Sequence, residues 1–244
     1  MQKTCYPFCV KVIILAGGRG TRLAEETSVT PKPMVTVASK PLLWHIMNIF
    51  SLQGFQDFII ATGYLSQVID TWVKTIEEPW NVVTQYTGME TQTGGRLRQC
   101  IQASSDHSFL ATYGDGLANV DIRKLVEFHK NGGLRATLTA VRPPARFGVI
   151  ESKNGIVTHF GEKNQADSGW INGGFFVLDR TVADYVLSDL EPFETGALPR
   201  LVQEESLGCY HHMGFWKPMD TLRERQELEV LASRENLPWL QLSD

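Results

Sequence analysis

Glycines followed by basic side chains mark the part of this sequence best suited to chemistry. Gly17, Gly18 and Gly20 come directly after an apolar run at residues 10–15, an order typical of a buried strand that enters a tight loop. Because glycine has no Cβ, the backbone N–H groups of such a loop can approach a phosphate closely. Positive charge and hydrogen-bond donors around the loop come from Arg19, Thr21, Arg22 and Lys32. The stretch is therefore suited to binding a triphosphate.

Two widespread phosphate motifs do not account for this loop. No Lys-Ser or Lys-Thr pair follows the glycines at the spacing of the Walker pattern. The dinucleotide fingerprint begins at Gly18 and Gly20, but Leu23 stands where its third glycine belongs. On these residues alone, an ordinary strand-to-helix turn stays open as an alternative to a phosphate site.

A second polar, glycine-bearing stretch at residues 87–98 precedes a predicted helix that ends near Ala103. Free N–H groups at a helix N-terminus attract anions, so we expect Arg96 to lie beside nucleotide phosphates. The alternative, in which these residues only begin a surface helix, stays open at this point.

Asp115 is the acidic residue whose position best suits a metal. It follows a predicted strand at residues 108–112 and is flanked by Gly114 and Gly116. In open α/β sheets the ligand crevice lies at the carboxyl ends of the strands, and Mg²⁺ prefers oxygen ligands such as carboxylates. Asp115 is therefore a candidate magnesium ligand, although an aspartate in a turn is also common for hydrogen bonding alone.

Two other reactive side chains have structural interpretations. Asp220 is predicted to cap a helix that runs through about residue 232. His45 lies on a predicted helix at residues 42–53 and is interpreted as a structural histidine of the core.

The elements that must position these residues alternate between strands and helices. Further strands are predicted at 57–62, 80–86, 135–141, 171–178 and 207–213, and further helices at 67–75, 122–130, 181–187 and 197–205. Such alternation indicates parallel βαβ units with right-handed crossovers. The Asn154-Gly155 turn between short strands at 149–151 and 156–160 indicates an antiparallel hairpin. The predicted fold class is α/β, a Rossmann-like layered fold with a mostly parallel central sheet and a small antiparallel insert.

Composition and charge narrow the possible functions. The chain has 244 residues, of which 43% are hydrophobic and 20% charged, values ordinary for a globular protein. The net charge of −4 argues against a nucleic-acid partner and against binding to anionic membranes. We find no apolar run near the ~20 residues of a membrane span and a poor match to a signal peptide, so a cytoplasmic protein is expected. The four cysteines lack zinc-site spacing and are interpreted as reduced thiols.

Several strings of residues resemble one enzyme family. The string Leu-Ala-Gly-Gly-Arg-Gly-Thr-Arg-Leu at 15–23, followed by Pro31-Lys32-Pro33, is similar to the signature of the sugar-phosphate nucleotidyltransferases. Further matching strings, which favour the glucose-1-phosphate cytidylyltransferase branch, stand at 41–47, 93–97, 112–116, 171–176 and 214–223. The resemblance implies a single nucleotidyltransferase domain over residues 1–244. Its nucleotide-binding part is expected at about 10–120 and its sugar-phosphate-binding part at about 135–220.

The resemblance also implies a reaction and a set of site residues. A cytidylyl group passes from CTP to α-D-glucose 1-phosphate to give CDP-glucose and pyrophosphate, for deoxysugar or surface-polysaccharide biosynthesis. Arg22 and Lys32 are expected to stabilise the transferring phosphoryl group, and Asp115 and Asp220 to hold the cofactor Mg²⁺. The implied nucleotide-binding residues are Leu15, Ala16, Gly17, Gly18, Gly20, Thr21, Arg22, Lys32, Thr91, Gly94, Arg96 and Gly114. The implied sugar-phosphate-binding residues are Gly148, Glu162, Lys163 and Asn172.

The sequence departs from the family pattern in two places. The segment that precedes Glu78-Pro79-Trp80-Asn81 is shorter than usual, and Asn164 stands where a proline commonly follows the Glu-Lys pair of the sugar site. The family resemblance suggests a homo-oligomer, whose form the shortened segment leaves open.

Two other functions stay open beside the cytidylyltransferase. One is a related transferase that uses another nucleotide or another phosphorylated acceptor. The other is a non-catalytic regulatory subunit that binds nucleotide or sugar without turnover. Such a subunit would be expected to lack a metal carboxylate or the basic loop residues, so the presence of Arg22, Lys32, Asp115, Lys163 and Asp220 counts against it.

Overall fold

A computed structural model describes residues 10–20, 29–143, 148–153, 156–162, 169–233 and 236–242. The strands in these residues are β1 (Lys11–Leu15), β2 (Thr36–Val37), β3 (Lys40–Pro41), β4 (Asp57–Thr62), β5 (Asn81–Tyr86), β6 (Ser108–Tyr113), β7 (Gly116–Ala118), β8 (Ala136–Val141), β9 (Gly148–Lys153), β10 (Ile156–Glu162), β11 (Ile171–Asp179), β12 (Leu207–His211) and β13 (Trp216–Pro218). The α-helices are α1 (Leu42–Ser51), α2 (Ser66–Val73), α3 (Thr93–Ala103), α4 (Ile122–Gly132), α5 (Ala197–Gln203) and α6 (Leu222–Ala232). Short 3₁₀ helices span Lys32–Met34, Arg180–Tyr185 and Pro238–Leu240.

The predicted α/β class with a mostly parallel central sheet is confirmed. Across the described residues the sheet has seven strands in the order β12-β8-β11-β6-β1-β4-β5. β1 pairs in parallel with β4 and β6, and β4 pairs in parallel with β5, so the loops after these four strands meet at one edge. β11 is antiparallel to both of its neighbours, β6 and β8, whereas β8 and β12 pair in parallel. The direction of β11 is information that the sequence pattern does not contain.

β1 is apolar along its length because both of its faces are covered. Val12 and Ile14 pack in one hydrophobic cluster together with α1, and Ile13 packs in a second cluster on the other side of the sheet. Side chains alternate between the two faces of a strand, so a strand buried on both sides needs a continuous apolar run. This packing fixes the end of β1, where the glycine loop begins.

The predicted antiparallel insert is confirmed as a hairpin of β9 and β10. Its strands pair from Gly148, which lies opposite Glu162, to Lys153, which lies opposite Ile156. The Asn154-Gly155 turn lies outside the described residues. The hairpin therefore places the backbones of two predicted sugar-site residues directly across from each other.

The helix predicted at residues 181–187 is a short 3₁₀ helix, Arg180–Tyr185, rather than an α-helix. Its buried residues are Val182 and Ala183. Short connections often take this tighter form, and the β-branched Thr181 and Val182 have limited rotamer freedom in an α-helix. The segment packs on α3 as a brief connection after β11.

The described residues bear on two expectations from composition, one about membrane-spanning segments and one about the cysteines. None of the helices there is long and apolar enough to cross a bilayer. Cys100 and Cys209 carry free thiols, while Cys5 and Cys9 lie outside the described part of the chain.

His45 lies in the core, as the structural interpretation expects. Its Nε2 is 2.8 Å from the Val37 carbonyl oxygen, and its Nδ1 lies 3.3 Å from the Trp239 indole nitrogen, which is a donor. Because the carbonyl only accepts and the indole only donates, the neutral ring carries its proton on Nε2. Burial lowers the pKa of His45 below its ordinary value, and a second proton on Nδ1 would face the indole N–H.

We expect this contact to be visible in the pH dependence of stability. Since the pKa of His45 is lower in the folded chain than its unfolded value of about 6.5, its contribution is complete above that pH and is lost as the pH falls through the folded pKa. Replacing Trp239→Phe removes the opposing donor and should raise the pKa of His45 in an NMR titration of the ring protons. A pKa unchanged by this replacement would contradict the assigned tautomer.

Candidate active site

A cleft of about 350 Å³ opens at the sheet edge where β1 and β6 end. Loops at the carboxyl ends of parallel strands are the usual ligand position in such sheets. The residues that line the cleft are Leu15, Ala16, Gly17, Gly18, Gly20, Lys32, Pro33, Thr91, Gln92, Thr93, Arg96, Tyr113, Gly114, Asp115 and Asp220.

The cleft brings together most of the nucleotide and metal residues that the sequence predicts. Among those in the described part of the chain, all except Gly94 line it. Thr21 and Arg22 lie outside the described residues, as does Lys163 on the sugar side. Glu162 is the last residue of β10.

Lys32 lies between two aspartates in the cleft. Its Nζ donates to Asp115 Oδ2 at 2.8 Å and to Asp220 Oδ1 at 2.6 Å, and the residue is only 9% exposed. Burial lowers the pKa of Lys32, but the two carboxylates raise it by more, so the pKa lies above the ordinary value of 10.5. Lys32 is therefore a cation at neutral pH, and its charge offsets the repulsion between the carboxylates.

Three distant parts of the chain supply this cluster. Lys32 begins a 3₁₀ helix whose entry residue is Pro31. Asp115 stands between β6 and β7, and Asp220 follows β13, which pairs antiparallel with β7. The N–H of Met219 donates to the Asp115 carbonyl at 2.8 Å. The β7–β13 pair thereby fixes the backbone next to one aspartate against the backbone of the other.

Asp220 is not the helix cap that the sequence predicts. Thr221 caps α6: its hydroxyl accepts from the Glu224 N–H at 3.2 Å, and the Glu224 carboxylate accepts from the Thr221 N–H at 3.0 Å. This reciprocal pair satisfies two N–H groups at the start of the helix. The cap stands one residue later than predicted, so the Asp220 carboxylate is directed to Lys32 instead.

The two aspartates suit a divalent cation with oxygen ligands. Their Oδ atoms already converge on one cation, the Lys32 ammonium. Mg²⁺ in nucleotide enzymes is commonly held by one or two carboxylates, while water and substrate phosphates complete its octahedral shell. The donor set of Asp115 and Asp220 therefore fits this ion.

Arg96 is buried beneath the glycine loop, where its guanidinium meets four oxygen atoms. Nη2 donates to the Gly17 carbonyl at 3.0 Å. Nη1 lies within hydrogen-bond distance of the carbonyls of Thr62 and Gly88, both at 3.0 Å, and of the Thr87 hydroxyl at 2.5 Å. These acceptors stand at or just after the ends of β1, β4 and β5. One side chain therefore joins three of the loops at the sheet edge.

The alternative of a plain surface helix is wrong for this stretch, because Arg96 is only 4% exposed. Burial lowers the pKa of its guanidinium, and no carboxylate pairs with it in the described part of the chain. The positive charge is solvated by protein oxygens, and the contact that we expect between Arg96 and nucleotide phosphates stays a prediction.

The bond from Arg96 also orients the glycine loop. In a planar trans peptide the C=O and the following N–H point in opposite directions. Since the Gly17 carbonyl points at Arg96, the N–H of Gly18 points away from it. A Cβ at Gly17 would lie 2.1 Å from Arg96 Nη1, whereas the Cβ position of Gly18 has no heavy atom within 4 Å. The loop thus has one side filled by Arg96, while Gly18 lines the cleft on the other side.

Gly94 faces protein rather than the cleft. A Cβ there would lie 2.6 Å from the Glu191 carbonyl oxygen, and a Cβ at Gly95 would lie 2.4 Å from the Asp189 carbonyl oxygen. The close approach of α3 to the segment that contains Asp189 and Glu191 explains why both residues are glycines. The nucleotide-binding role of Gly94 stays a prediction that no described contact requires.

Asn172 lies near the cleft, on the side where β11 approaches β6. Its Nδ2 donates to the Tyr113 hydroxyl at 3.0 Å, and its Oδ1 accepts from the Gly174 N–H at 2.9 Å. Gly174 has a φ of +87°, and a Cβ there would lie 2.5 Å from Cδ2 of Tyr113. The Tyr113 ring therefore fills the space beside Gly174, and its hydroxyl fixes the amide of Asn172.

The comparison with known proteins agrees with this geometry. The sequence pattern of the Nucleotidyl transferase family matches residues 11–220, which include the glycine loop, Lys32 and both aspartates. The chain belongs to this family. Glucose-1-phosphate cytidylyltransferases of Salmonella typhimurium and Salmonella typhi are each 44% identical to it over 253 aligned positions, which cover 94% of this chain and 98% of theirs. In fold it resembles a UDP-glucose pyrophosphorylase solved with UDP-glucose, with a TM-score of 0.73 and 15% identity over 93% of this chain and 99% of that one.

This nucleotidyl transferase is shorter than its alignment to those Salmonella relatives. Since 253 aligned positions exceed its 244 residues, the relatives have residues that it lacks. Here residues 74–80 join α2 to β5, and the Glu78 carboxylate accepts a hydrogen bond from the Trp44 indole on α1. Trp80 packs against Trp44 and Phe58. The short connection is therefore anchored to the core.

Tyr113, which lines the cleft, and Glu194, which contacts it, form a hydrogen-bonded pair that the sequence analysis of this nucleotidyl transferase does not single out. Tyr113 ends β6 directly before Gly114 and Asp115, a position that could have marked it as a cleft residue. Glu194 accepts a hydrogen bond from the Tyr113 hydroxyl at 2.5 Å. Glu194 lies 81 residues away in sequence, and no motif or spacing points to it.

We expect the exchange Arg96→Lys to disrupt the nucleotide side of this nucleotidyl transferase. An ammonium keeps the charge but lacks the planar fork, so it cannot serve the Gly17 and Gly88 carbonyls together. The Gly17 carbonyl would keep the hydrogen bond from the Tyr64 N–H, so the main loss is that of hydrogen bonds to a charged group. The free energy of unfolding should fall by about 1.5–3 kcal/mol, and nucleotide affinity should fall as well. Denaturant unfolding and calorimetric titration with CTP measure the two effects.

Arg223→Lys is the matched control for that exchange. Its side chain is 88% exposed on α6, so the same chemical change should leave stability nearly unaltered. Equal stability of the two variants would show that the buried contacts of Arg96 do not organise the loop.

Proposed function

We propose that this chain transfers a cytidylyl group from CTP to α-D-glucose 1-phosphate, giving CDP-glucose and pyrophosphate. The observation that carries the proposal is the 44% identity to two glucose-1-phosphate cytidylyltransferases over 94% of this chain and 98% of theirs. The cleft supports it, because its glycine loop lies beside Lys32 and a pair of carboxylates.

The proposed reaction sets an electrostatic problem rather than a demand for a strong base. A phosphate oxygen of the sugar phosphate, already anionic, attacks the α-phosphorus of CTP in line, and the bond to the pyrophosphate oxygen breaks. Two polyanions must approach, and negative charge moves onto the leaving pyrophosphate. Positioning and charge neutralisation therefore dominate catalysis of this type.

Lys32 supplies a fixed positive charge for this step. It stays protonated because two carboxylates raise its pKa, and its burial in the cleft limits screening by water. We infer that Lys32, with Arg22 from outside the described residues, stabilises the transferring phosphoryl group. The Gly18 N–H and the start of α3 offer further donors to the triphosphate.

Asp115 and Asp220 are the residues that would hold Mg²⁺. When bound, this ion would neutralise phosphate charge and help align the two reactants. Lys32 holds both carboxylates within reach of a single cation, and the β7–β13 pair fixes their backbones.

The acceptor sugar is proposed to lie toward β11 and the β9–β10 hairpin. Asn172 is proposed to hydrogen-bond a sugar hydroxyl, and Gly148 to admit the sugar close to the backbone. Glu162 and Lys163 carry their roles by family resemblance, for a second sugar hydroxyl and for the sugar phosphate.

The organisation of the chain follows the same proposal. We propose one domain over residues 1–244, with a nucleotide part at about 10–120 and a sugar-phosphate part at about 135–220. A cytoplasmic homo-oligomer without nucleic-acid partners fits the net charge of −4 and the resemblance to the family.

The decisive experiment measures pyrophosphate release with Mg²⁺ and glucose 1-phosphate for CTP, UTP, dTTP, ATP and GTP in parallel. We expect turnover with CTP and little with the others. A preference for another nucleotide would assign the chain to a different branch of the family. No pyrophosphate release with any of the five nucleotides, together with binding of CTP in calorimetry, would favour a regulatory protein.

Loss of the cleft lysine should greatly slow the reaction. We expect Lys32→Ala to lower turnover about 100-fold, as removal of a charge-assisted contact made mainly in the transition state would do. Lys11→Ala is the matched control, since Lys11 also pairs with an aspartate, Asp106 at 2.8 Å, but at the start of β1 away from the cleft. Near-normal turnover of Lys32→Ala would remove Lys32 from the proposed role.

Replacing one carboxylate should change the metal requirement. Asp220→Asn keeps the size of the side chain and removes its charge, so the Mg²⁺ concentration that gives half-maximal rate should rise about tenfold or more, in line with the strength of charged contacts. Asp121→Asn, at the N-cap of α4, serves as the control. An unchanged Mg²⁺ requirement in Asp220→Asn would exclude Asp220 as a ligand.

A further inference from the structure

A chain of hydrogen bonds leads from Asn172, a proposed sugar-site residue, to Thr93 at the start of α3. Asn172 Nδ2 donates to the Tyr113 hydroxyl at 3.0 Å, and that hydroxyl donates to Glu194 Oε1 at 2.5 Å. The other oxygen of Glu194 accepts from the Thr93 hydroxyl at 2.7 Å. Thr93 begins α3 and lines the cleft, as Tyr113 does.

The charge of Glu194 sets the direction of every bond in this chain. An ionised carboxylate only accepts, so the Tyr113 hydroxyl must donate to it and is left to accept from Asn172. Burial, followed by the charge of Glu194, raises the pKa of Tyr113 well above its ordinary value, so the phenol keeps its proton. Among the described residues no lysine or arginine pairs with Glu194, and its two contacts are hydroxyl donors.

This direction fixes the amide of Asn172. Its oxygen is taken by the Gly174 N–H at 2.9 Å, and one of its two N–H groups is taken by Tyr113. The second N–H has no acceptor among the described residues, and Asn172 lies next to Tyr113, which lines the cleft. An amide held in this way presents its second N–H as a hydrogen-bond donor to a ligand.

We propose that Glu194 and Tyr113 are positioning residues that orient Asn172 so that its remaining N–H donates to one hydroxyl of the acceptor sugar. The inference rests on the proposed function and deepens it, since it names the residues that prepare the acceptor subsite. The bond from Thr93 to Glu194 connects these hydrogen bonds to the first turn of α3. The Asn172 N–H is therefore held at a fixed position relative to the residues proposed to bind the nucleotide.

The first test compares KM for glucose 1-phosphate with KM for CTP in steady-state kinetics. Tyr113→Phe keeps the ring that packs beside Gly174 and removes only the hydroxyl. We expect KM for glucose 1-phosphate to rise about tenfold, as loss of a hydrogen bond linked to a charged group would produce, while KM for CTP changes less than about twofold. A rise in both KM values, or in neither, would overturn the inference.

Tyr185→Phe is the matched control for this variant. The Tyr185 hydroxyl also donates to a carboxylate, that of Glu204, at an exposed position away from the cleft. It should leave both KM values at the wild-type level and show how much the loss of one tyrosine–carboxylate bond affects stability. A shift in KM for glucose 1-phosphate equal to that of Tyr113→Phe would contradict a positioning role.

A double-mutant cycle tests whether Tyr113 acts through Asn172. If it does, Tyr113→Phe should raise KM for glucose 1-phosphate in the wild-type background and add little once Asn172→Ala is present. Effects that multiply in full would show that Tyr113 works independently of Asn172 and would overturn the inference.

Two variants of Glu194 separate positioning from folding. Glu194→Gln keeps an oxygen that can accept from Tyr113, so it should retain much of the affinity for glucose 1-phosphate, whereas Glu194→Ala should lose about as much as Tyr113→Phe. Equal KM values in the two, at equal melting temperature, would contradict the inference. Wild-type chain that turns over no nucleotide would instead overturn the proposed function itself, and the inference with it.

Discussion

A buried positive charge determines how the glycine-loop side of this cleft is built, and among the described residues it has no carboxylate partner. The Arg96 guanidinium is solvated by oxygens from three loops at the sheet edge. A buried charge is costly unless it is hydrogen-bonded, so those oxygens must turn inward. Because each peptide is planar, turning the Gly17 carbonyl inward turns the Gly18 N–H outward. The same contact that stabilises the arginine therefore prepares the loop for an anion.

The central sheet and the β7–β13 pair together let residues far apart in sequence act as one group. Lys32 and Asp220 are 188 residues apart, yet Lys32 Nζ lies 2.6 Å from Asp220 Oδ1, because β13 pairs with β7 just beyond the end of β6. Strands that run in one direction end at one edge, so each new strand adds a loop beside the loops already there. β11, the antiparallel strand, brings Asn172 to the same edge from the opposite direction. The cleft is thus a consequence of strand order as much as of the residues that line it.

Sequence patterns predict the fold class and much of the cleft, because both depend on local signals. Apolar runs mark strands that are buried on both faces, and glycines followed by basic residues mark the phosphate loop. What they miss depends on distant partners. Arg96 appears near a helix start, and only tertiary packing shows that it serves carbonyls from three strand ends. Asp220 fits a helix cap until Thr221 is seen to take that role, and Glu194 has no local signal at all.

The pairing of Tyr113 with Gly174 has a consequence for how this family diverges. The ring occupies the space that a side chain at residue 174 would need, with only 2.5 Å between Cδ2 and the position of a Cβ. The positive φ of Gly174 restricts the residue further. Residues 113 and 174 should therefore change together during evolution. A relative that has a side chain at the position of Gly174 must have a smaller residue at the position of Tyr113. Such a lineage would lose the hydroxyl as well, and would have to recognise its acceptor sugar by another arrangement.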